Sequence, residues 1–324
     1  MKLPWTTDPV LKGLEKVRRA LVKTGQHHGV SAWWRDTLDR FIRSGKRQLV
    51  LRVGRRGGKS STLSALACAV ALFGEHKIPP GDIGVVAFVS VSRDESASRL
   101  RTIETILTAL GVPYRRQGDT IDLVDKPIAF KTFAGTMQGV VGFTAILIIC
   151  DEVARWRDAD TGANPATEVL ASIRPTMATV PSARMVLSSS PLGLMDAHAE
   201  AFERGDTDDQ MVAHAPTWVA NPSVTEEATR KLEPDLRIWA REYAAEPQGT
   251  SVDCFSVEAV DRAFALECEP IAAPVMLVDA SSGKGDAFTF AIAGKTKRKG
   301  DAGKTSTCCG SSASAPSRDD FGTA

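Results

Sequence analysis

The sequence predicts an α/β protein built on a mainly parallel sheet with helices on both faces. Three observations carry that expectation. Short apolar runs alternate with helix-patterned stretches along residues 48–188. A Gly-rich turn joins the first apolar run to a helix. Two later runs end in polar residues suited to a ligand site, Asp151-Glu152 and Ser188-Ser189-Ser190. Strands separated by helices favour parallel pairing, and covering on both faces explains strands that are apolar throughout.

The elements follow in order. Residues 10–22 place Val10, Leu14, Val17 and Leu21 at helical spacing, with Lys12, Lys16, Arg18 and Arg19 between them. Residues 32–43 form a second helix with Trp33, Trp34, Leu38, Phe41 and Ile42 as its apolar side. Residues 48–53 are a strand, and 60–73, rich in Ala and Leu, a helix that stops at Gly74. A strand at 83–89 precedes a helix at 94–110, which aligns Leu100, Ile103, Leu107 and Leu110 and closes at Gly111. Residues 120–124 and 128–133 flank Asp125-Lys126-Pro127 as a hairpin. Strands at 145–150 and 183–188 follow. From 211 to 250 the pattern reads as helical, interrupted by Pro216, Pro222, Pro234 and Pro247. Strand signals return at 274–278 and 287–293.

The chain has 324 residues, enough for about two domains. Its net charge of +1 excludes an overall basic nucleic-acid binder, so any such role rests on local patches. No apolar run approaches the ~18 residues of a membrane span, and residues 1–7 lack a signal-peptide pattern. Cys68 and Cys150 lie in apolar segments, and the cysteines and histidines show no metal-binding spacing, so a cytoplasmic setting is expected. Residues 295–324 hold no Leu, Ile, Val or Met and read as a polar, disordered tail without strands.

Gly54-Arg55-Arg56-Gly57-Gly58-Lys59-Ser60, followed by Ser61, sits between a strand and a helix, the context of a phosphate-binding loop. Glycines let backbone N–H groups curl around phosphate, and the helix N-terminus adds a favourable dipole. Lys59 is the residue to reach the β- and γ-phosphates, and the Ser60 hydroxyl the one to hold Mg²⁺. The pattern departs from the usual spacing, since Val53 stands where its first Gly falls. Further on, a strand ends at Asp151 and Glu152. Acids at the carboxyl end of a parallel strand lie at the crevice where such sheets bind ligands. Asp151 is expected on Mg²⁺, and Glu152 as the base that orients and deprotonates water. Ser188, Ser189 and Ser190 could sense the γ-phosphate or form an ordinary polar turn. A Gly-rich turn before a helix and a solvated acidic turn are the alternatives for each motif alone; both in order on these elements favour an ATP-binding P-loop NTPase of the RecA/ASCE type as the expected fold.

The combination resembles the large terminase subunit of tailed bacteriophages, the DNA-packaging ATPase. It rests on the Arg-bearing, shifted phosphate loop, Ile148-Ile149-Cys150-Asp151-Glu152, Ser188-Ser189-Ser190-Pro191 as a coupling motif and the Gly-rich segment 133–142. Asn221-Pro222 and Arg241-Glu242-Tyr243 to Glu246, before Phe255, add to it. The resemblance spans 45–294. It implies double-stranded DNA, a portal protein and a small terminase subunit as partners, and a homo-oligomeric ring. It also places Arg55 where terminases carry an Arg that stabilises transition-state charge. Ground-state phosphate binding or solvent exposure of Arg55 and Arg56 is equally compatible with the sequence. Gln26 and Gln48 are weak candidates for an adenine contact. Nine Lys or Arg against two Asp within residues 35–59 make a local charge of +7 that could contact DNA, hold ATP or simply be solvated.

The expected organisation is an N-terminal helical region (1–44), the ATPase domain (45–250), a linker (251–270), an incomplete RNase-H-like nuclease start (271–294) and the tail (295–324). The resemblance marks Asp279 as the first metal-binding acid of that nuclease. Two-metal cleavage needs several acids, and the later chain offers none in a family motif. Nuclease activity is therefore expected to be absent, through a frameshift, a remnant or an interrupted gene, unless the tail is genuine. The competing functions are a helicase-like or generic nucleic-acid-stimulated ATPase, and a remnant that binds ATP only. A helicase needs a second RecA-like domain, for which no room remains after residue 250.

Overall fold

Asp8 starts the first helix, α1 (Pro9–Lys23). Its carboxylate accepts from the backbone N–H groups of Val10 and Leu11 at 2.8 and 3.1 Å, and Pro9 occupies the first turn, where its missing N–H costs nothing. Leu11, Leu14, Val17 and Leu21 form the buried stripe. The structure is a computed structural model that describes residues 8–25, 31–135, 142–156, 165–193, 196–248, 272–279, 289–296 and 306–314. Contacts divide the chain into two compact units, Met1–Thr250 and Ser251–Ala324.

In the first unit, α2 (Ala32–Ser44) leads to β1 (Gln48–Val53), α3 (Lys59–Phe73), β2 (Gly84–Ser90) and α4 (Arg93–Leu110). β3 (Tyr114–Gln117), β4 (Thr120–Leu123) and β5 (Ile128–Ala134) precede β6 (Thr144–Asp151), α5 (Ala166–Ile173), β7 (Arg184–Ser189), α6 (Ala197–Glu203) and β8 (Gln210–Ala215). The eight strands form one sheet in the order β3-β4-β5-β2-β6-β7-β1-β8. Pairing is parallel from β5 to β8 and antiparallel at the β3-β4-β5 edge. All seven residues of β2 are buried, as are Ala145 to Asp151 of β6, so both sheet faces are covered there. Leu14, Trp34 and Phe41 of the first two helices belong to the same apolar core as the sheet.

Two sequence expectations change. Residues 210–215, expected to begin a helical stretch, are strand β8, parallel to β1. Six residues carry too little periodicity to separate a strand from a helix, and pairing with β1 decides it. β3 also escaped notice, because its four residues are mostly exposed polar side chains. Beyond β8 the expected helices appear as short turns: α7 (Thr217–Ala220), α8 (Glu226–Leu232) and α9 (Leu236–Trp239), the last continued by a π turn at Ala240–Ala244.

In the second unit, β9 (Ala272–Asp279), β10 (Thr289–Thr296) and β11 (Ser306–Ser314) make an antiparallel sheet in the order β11-β10-β9. β11 lies inside the segment expected to hold no strand. Its Thr307-Cys308-Cys309 pairs with Lys295, Gly294 and Ala293 through backbone groups, which need no apolar side chains. The linker 251–270 lies outside the described residues.

Candidate nucleotide site

The site forms where strands end level with one another. β7 lies between β1 and β6, with Ser188 in register with both Leu51 and Asp151. The chain therefore leaves the sheet at Val53, Glu152 and Ser190 along one carboxyl edge, which is where open α/β sheets take ligands. A cleft of 810 Å³ opens there. Its walls are Arg55 to Ser61, Thr102, Glu152, Asn221, Val224 and Tyr243.

The loop itself is held from three sides. Trp34 Nε1 of α2 donates to the Gly57 carbonyl at 2.8 Å. Thr217 Oγ1 donates to the Arg55 carbonyl at 2.7 Å and Asn221 Nδ2 to the Arg56 carbonyl at 2.9 Å. The Arg55 N–H donates to the Glu242 carbonyl at 2.7 Å. These bonds consume loop carbonyls and leave α3 to begin at Lys59, its amino end facing the cleft. Gly58 has φ +82°, a left-handed conformation that suits glycine at this cap. Arg56 shares the left-handed region at φ +61°.

Lys59 is almost fully buried and bonds the Val53 carbonyl at 3.0 Å and Glu152 Oε1 at 3.1 Å. Glu152 has φ +52°, unusual for a residue with a side chain, and a short 3₁₀ turn, Val153–Arg155, follows it. Its Oε2 accepts from the Ser190 N–H at 3.2 Å, Ser190 Oγ at 3.1 Å and Ser189 Oγ at 3.3 Å. Burial by itself would raise the Glu152 pKa. Lys59, the Ser190 N–H and Arg155 outweigh burial and hold the carboxyl below its usual range. Asp151 differs: burial dominates and raises its pKa, with Glu152 adding to the rise, although Arg99 opposes it through a 2.7 Å ion pair. Asp151 Oδ1 is buried and has no hydrogen-bond partner among the described residues.

The structure thus gathers Gly54 to Ser61, Asp151, Glu152, Ser189 and Ser190 at one edge. Ser188 is buried, and its Oγ has no partner among the described residues. Asp279 ends β9 in the other unit; its side chain lies outside the described residues. Gln48 does not fit an adenine role: it stands at the opposite end of β1 and bonds Gln210 Oε1 at 2.6 Å. Gln26 is outside the described residues. The cleft wall facing the loop is instead Asn221, Val224 and Tyr243.

Three residues near the loop have no role in the sequence reading. Glu242, nearly buried, binds Arg55 Nε at 3.1 Å, Arg155 Nη2 at 2.9 Å and Arg241 Nε at 3.0 Å. Arg155 also donates to Ser190 Oγ at 3.4 Å, so it joins the Ser190 turn to the 240–244 turn. Arg99 on α4 holds Asp151. A signal for Arg99 existed: it stands four residues before Ile103, on the apolar stripe. The +7 segment is largely committed within the protein. Arg40 pairs with Asp36, Arg43 with Asp39, Lys46 with Asp206 and Arg52 with Glu203. Arg47 donates to the Met177 and Ala183 carbonyls.

Among the described residues no group of three or more His, Cys, Asp or Glu side chains is placed to hold a metal, and no helix is long and apolar enough to cross a membrane. No protein-family model and no curated protein matches the chain. Solved structures do. The large terminase ATPase domain of Thermus phage P74-26 is 19% identical, with a TM-score of 0.52 over 72% of this chain and 97% of that one. The HK97 bacteriophage large terminase is 15% identical, with a TM-score of 0.57 over 91% of this chain and 67% of that one. A large terminase from a thermophilic bacteriophage, in complex with ADP, is 15% identical, with a TM-score of 0.51 over 81% of this chain and 62% of that one. The chain has the fold of the phage large-terminase ATPase domain.

Proposed function

We propose that the chain is an ATP-hydrolysing motor subunit of the terminase type, translocating double-stranded DNA into a procapsid as part of a ring that engages a portal protein and a small terminase subunit. The observation that carries the ATPase part is the Glu152 carboxylate. It is held at once by Lys59 of the phosphate loop and by Ser190 at the end of β7. The terminase fold, and the ADP complex of one protein sharing it, support the choice among P-loop activities.

Each residue has a task. The backbone N–H groups of Gly57 to Ser60 and the amino end of α3 receive phosphate oxygens. Lys59 neutralises the terminal phosphates. As long as Lys59 is on Glu152, the carboxylate is a weak base. Drawing Lys59 onto phosphate removes the main charge that lowers the Glu152 pKa, which then rises toward a value suited to accepting a proton from water. Arg55, at the mouth of the cleft, is placed to meet charge on the γ-phosphate once it leaves Glu242. Ser60 and Asp151 fit Mg²⁺: a hydroxyl at the helix start, and a carboxylate with one unpartnered buried oxygen. Held by Ser60 and Asp151, Mg²⁺ would supply charge neutralisation to the nucleotide phosphates. Tyr243, Asn221 and Val224 form the wall available to the nucleoside.

The HK97 likeness covers 91% of the chain, more than the 250 residues of the first unit supply. That supports reading β9 and β10 as the opening of a nuclease-like domain, with Asp279 ending β9. ATP hydrolysis measured with and without double-stranded DNA tests the motor reading. Stimulation by DNA is expected; equal rates with and without DNA contradict it.

A further inference from the structure

Arg99 and Asp151 form an ion pair that the proposed chemistry does not use. The Arg99 Nη2 to Asp151 Oδ2 distance is 2.7 Å, with the carboxylate 4% and the guanidinium 17% exposed. Each partner keeps one unsatisfied buried atom, Asp151 Oδ1 and Arg99 Nε, among the described residues. A pair built only for stability satisfies its remaining lone pairs and protons, since an incompletely bonded buried charge is costly. Here the hydrogen bonding is left half made on both sides.

Two further observations place Arg99 in the site. Thr102, three residues on and so on the same helix face, lines the nucleotide cleft. Glu95, four residues earlier, lies close enough to feel Asp151, Glu152, Arg99 and Arg55, and burial raises its pKa. Glu95 stands one helical turn before Arg99 on α4.

We propose that Arg99 is the built-in counter-ion of Asp151 and competes with the divalent cation for that carboxylate, so that cation loading requires the guanidinium to leave. This rests on the reading of Ser60 and Asp151 as the cation-holding pair. Two states that draw on one carboxylate lower the apparent affinity for the cation by the fraction of molecules in which Arg99 holds it.

The test measures binding of a fluorescent ADP analogue to the whole chain, with excess Mg²⁺ and with EDTA, and takes the ratio of the two affinities. Arg99→Gln is expected to raise that ratio about tenfold over wild type, because the competitor is gone. Its thermal midpoint should fall in EDTA and rise on adding Mg²⁺ and the analogue by more than that of the wild type does, because its Mg²⁺-dependent affinity is the greater. Adding Asp151→Asn to Arg99→Gln should abolish the gain. An Arg99→Gln ratio equal to or below wild type overturns the proposal. If Arg99→Gln does not fold, Arg99→Met, which also removes the charge, is read by the same ratio; a value above wild type supports the proposal and an unchanged one overturns it. No analogue binding by the wild type under either condition refutes the nucleotide-site reading itself, an outcome distinct from failure of the Arg99 competition alone.

Discussion

Glu152 is where the residue-scale account is most exposed to test. Its left-handed backbone, its Lys59 partner and its three contacts from Ser189 and Ser190 all place one carboxylate between the phosphate loop and the end of β7. Glu152→Gln should retain the hydrogen bonds from Ser190 and bind nucleotide, yet lose about 100-fold or more in turnover, as removal of a general base does. Lys59→Ala should lose nucleotide affinity as well. Glu242 is a positioning residue, because it reaches the site through Arg55 and Arg155. Glu242→Gln is expected to lower kcat about tenfold with little change in nucleotide affinity, since both arginines lose their anchor. A fall in affinity matching the fall in kcat would contradict that role. Legibility at this scale divided by chemistry. Lys59, Asp151 and Glu152 stand at motif spacing and could be read from sequence. Glu242 and Arg99 act through residues 87 and 52 positions away, Arg155 and Asp151 respectively; a charge on the apolar stripe marks Arg99, and Glu242 stands in the Arg241-Glu242-Tyr243 motif, but neither signal names the partner.

At the scale of elements, the junction between the phosphate loop and the segment after β8 decides how rigid the site is. A Cβ on Gly54 would fall on Thr217 Oγ1 and the Tyr243 carbonyl. Gly54→Ala should therefore push the 217–243 segment off the loop, destabilise the protein by about 1–3 kcal/mol, and weaken nucleotide binding. Chemical denaturation and analogue binding check both effects. The α6–β1 contact supplies a pH prediction. His198 Nε2 lies 3.0 Å from the Leu51 carbonyl, and burial lowers its pKa to about 4, against a smaller opposing pull from Asp196. A folded pKa below the unfolded value of 6.5 means that the unfolded chain takes up the proton first. Stability is then full above about pH 6.5 and is lost as pH falls toward 4. His198→Gln should flatten that part of the stability profile; an unchanged slope would contradict the account. The long elements, α1 to α4 and β1, β2, β6 and β7, were legible because their apolar periodicity runs for several turns or their strands are fully buried. β3 and β11 were not, because their residues are mostly polar or small and carry no apolar alternation, and β8 was not, because its pattern does not separate strand from helix until it pairs with β1.

At the scale of the whole molecule, the site described here lies wholly within Met1–Thr250. A chain ending at Thr250 should unfold in one cooperative transition and bind the fluorescent ADP analogue as the full chain does. A fragment that fails to fold would contradict the division into two units. The near-neutral net charge of +1 conceals a basic run, yet most of that run is paired internally or bonded to backbone carbonyls. Sequence alone does not show which of these cations pair after folding. The central claim is that this fold hydrolyses ATP through Glu152. Steady-state ATP hydrolysis by the wild type and by Glu152→Gln, with analogue binding measured on the same samples, tests it most directly. The account predicts turnover by the wild type, and binding without turnover by the variant. No hydrolysis by a wild type that binds the analogue, or equal turnover by the two proteins, would contradict it.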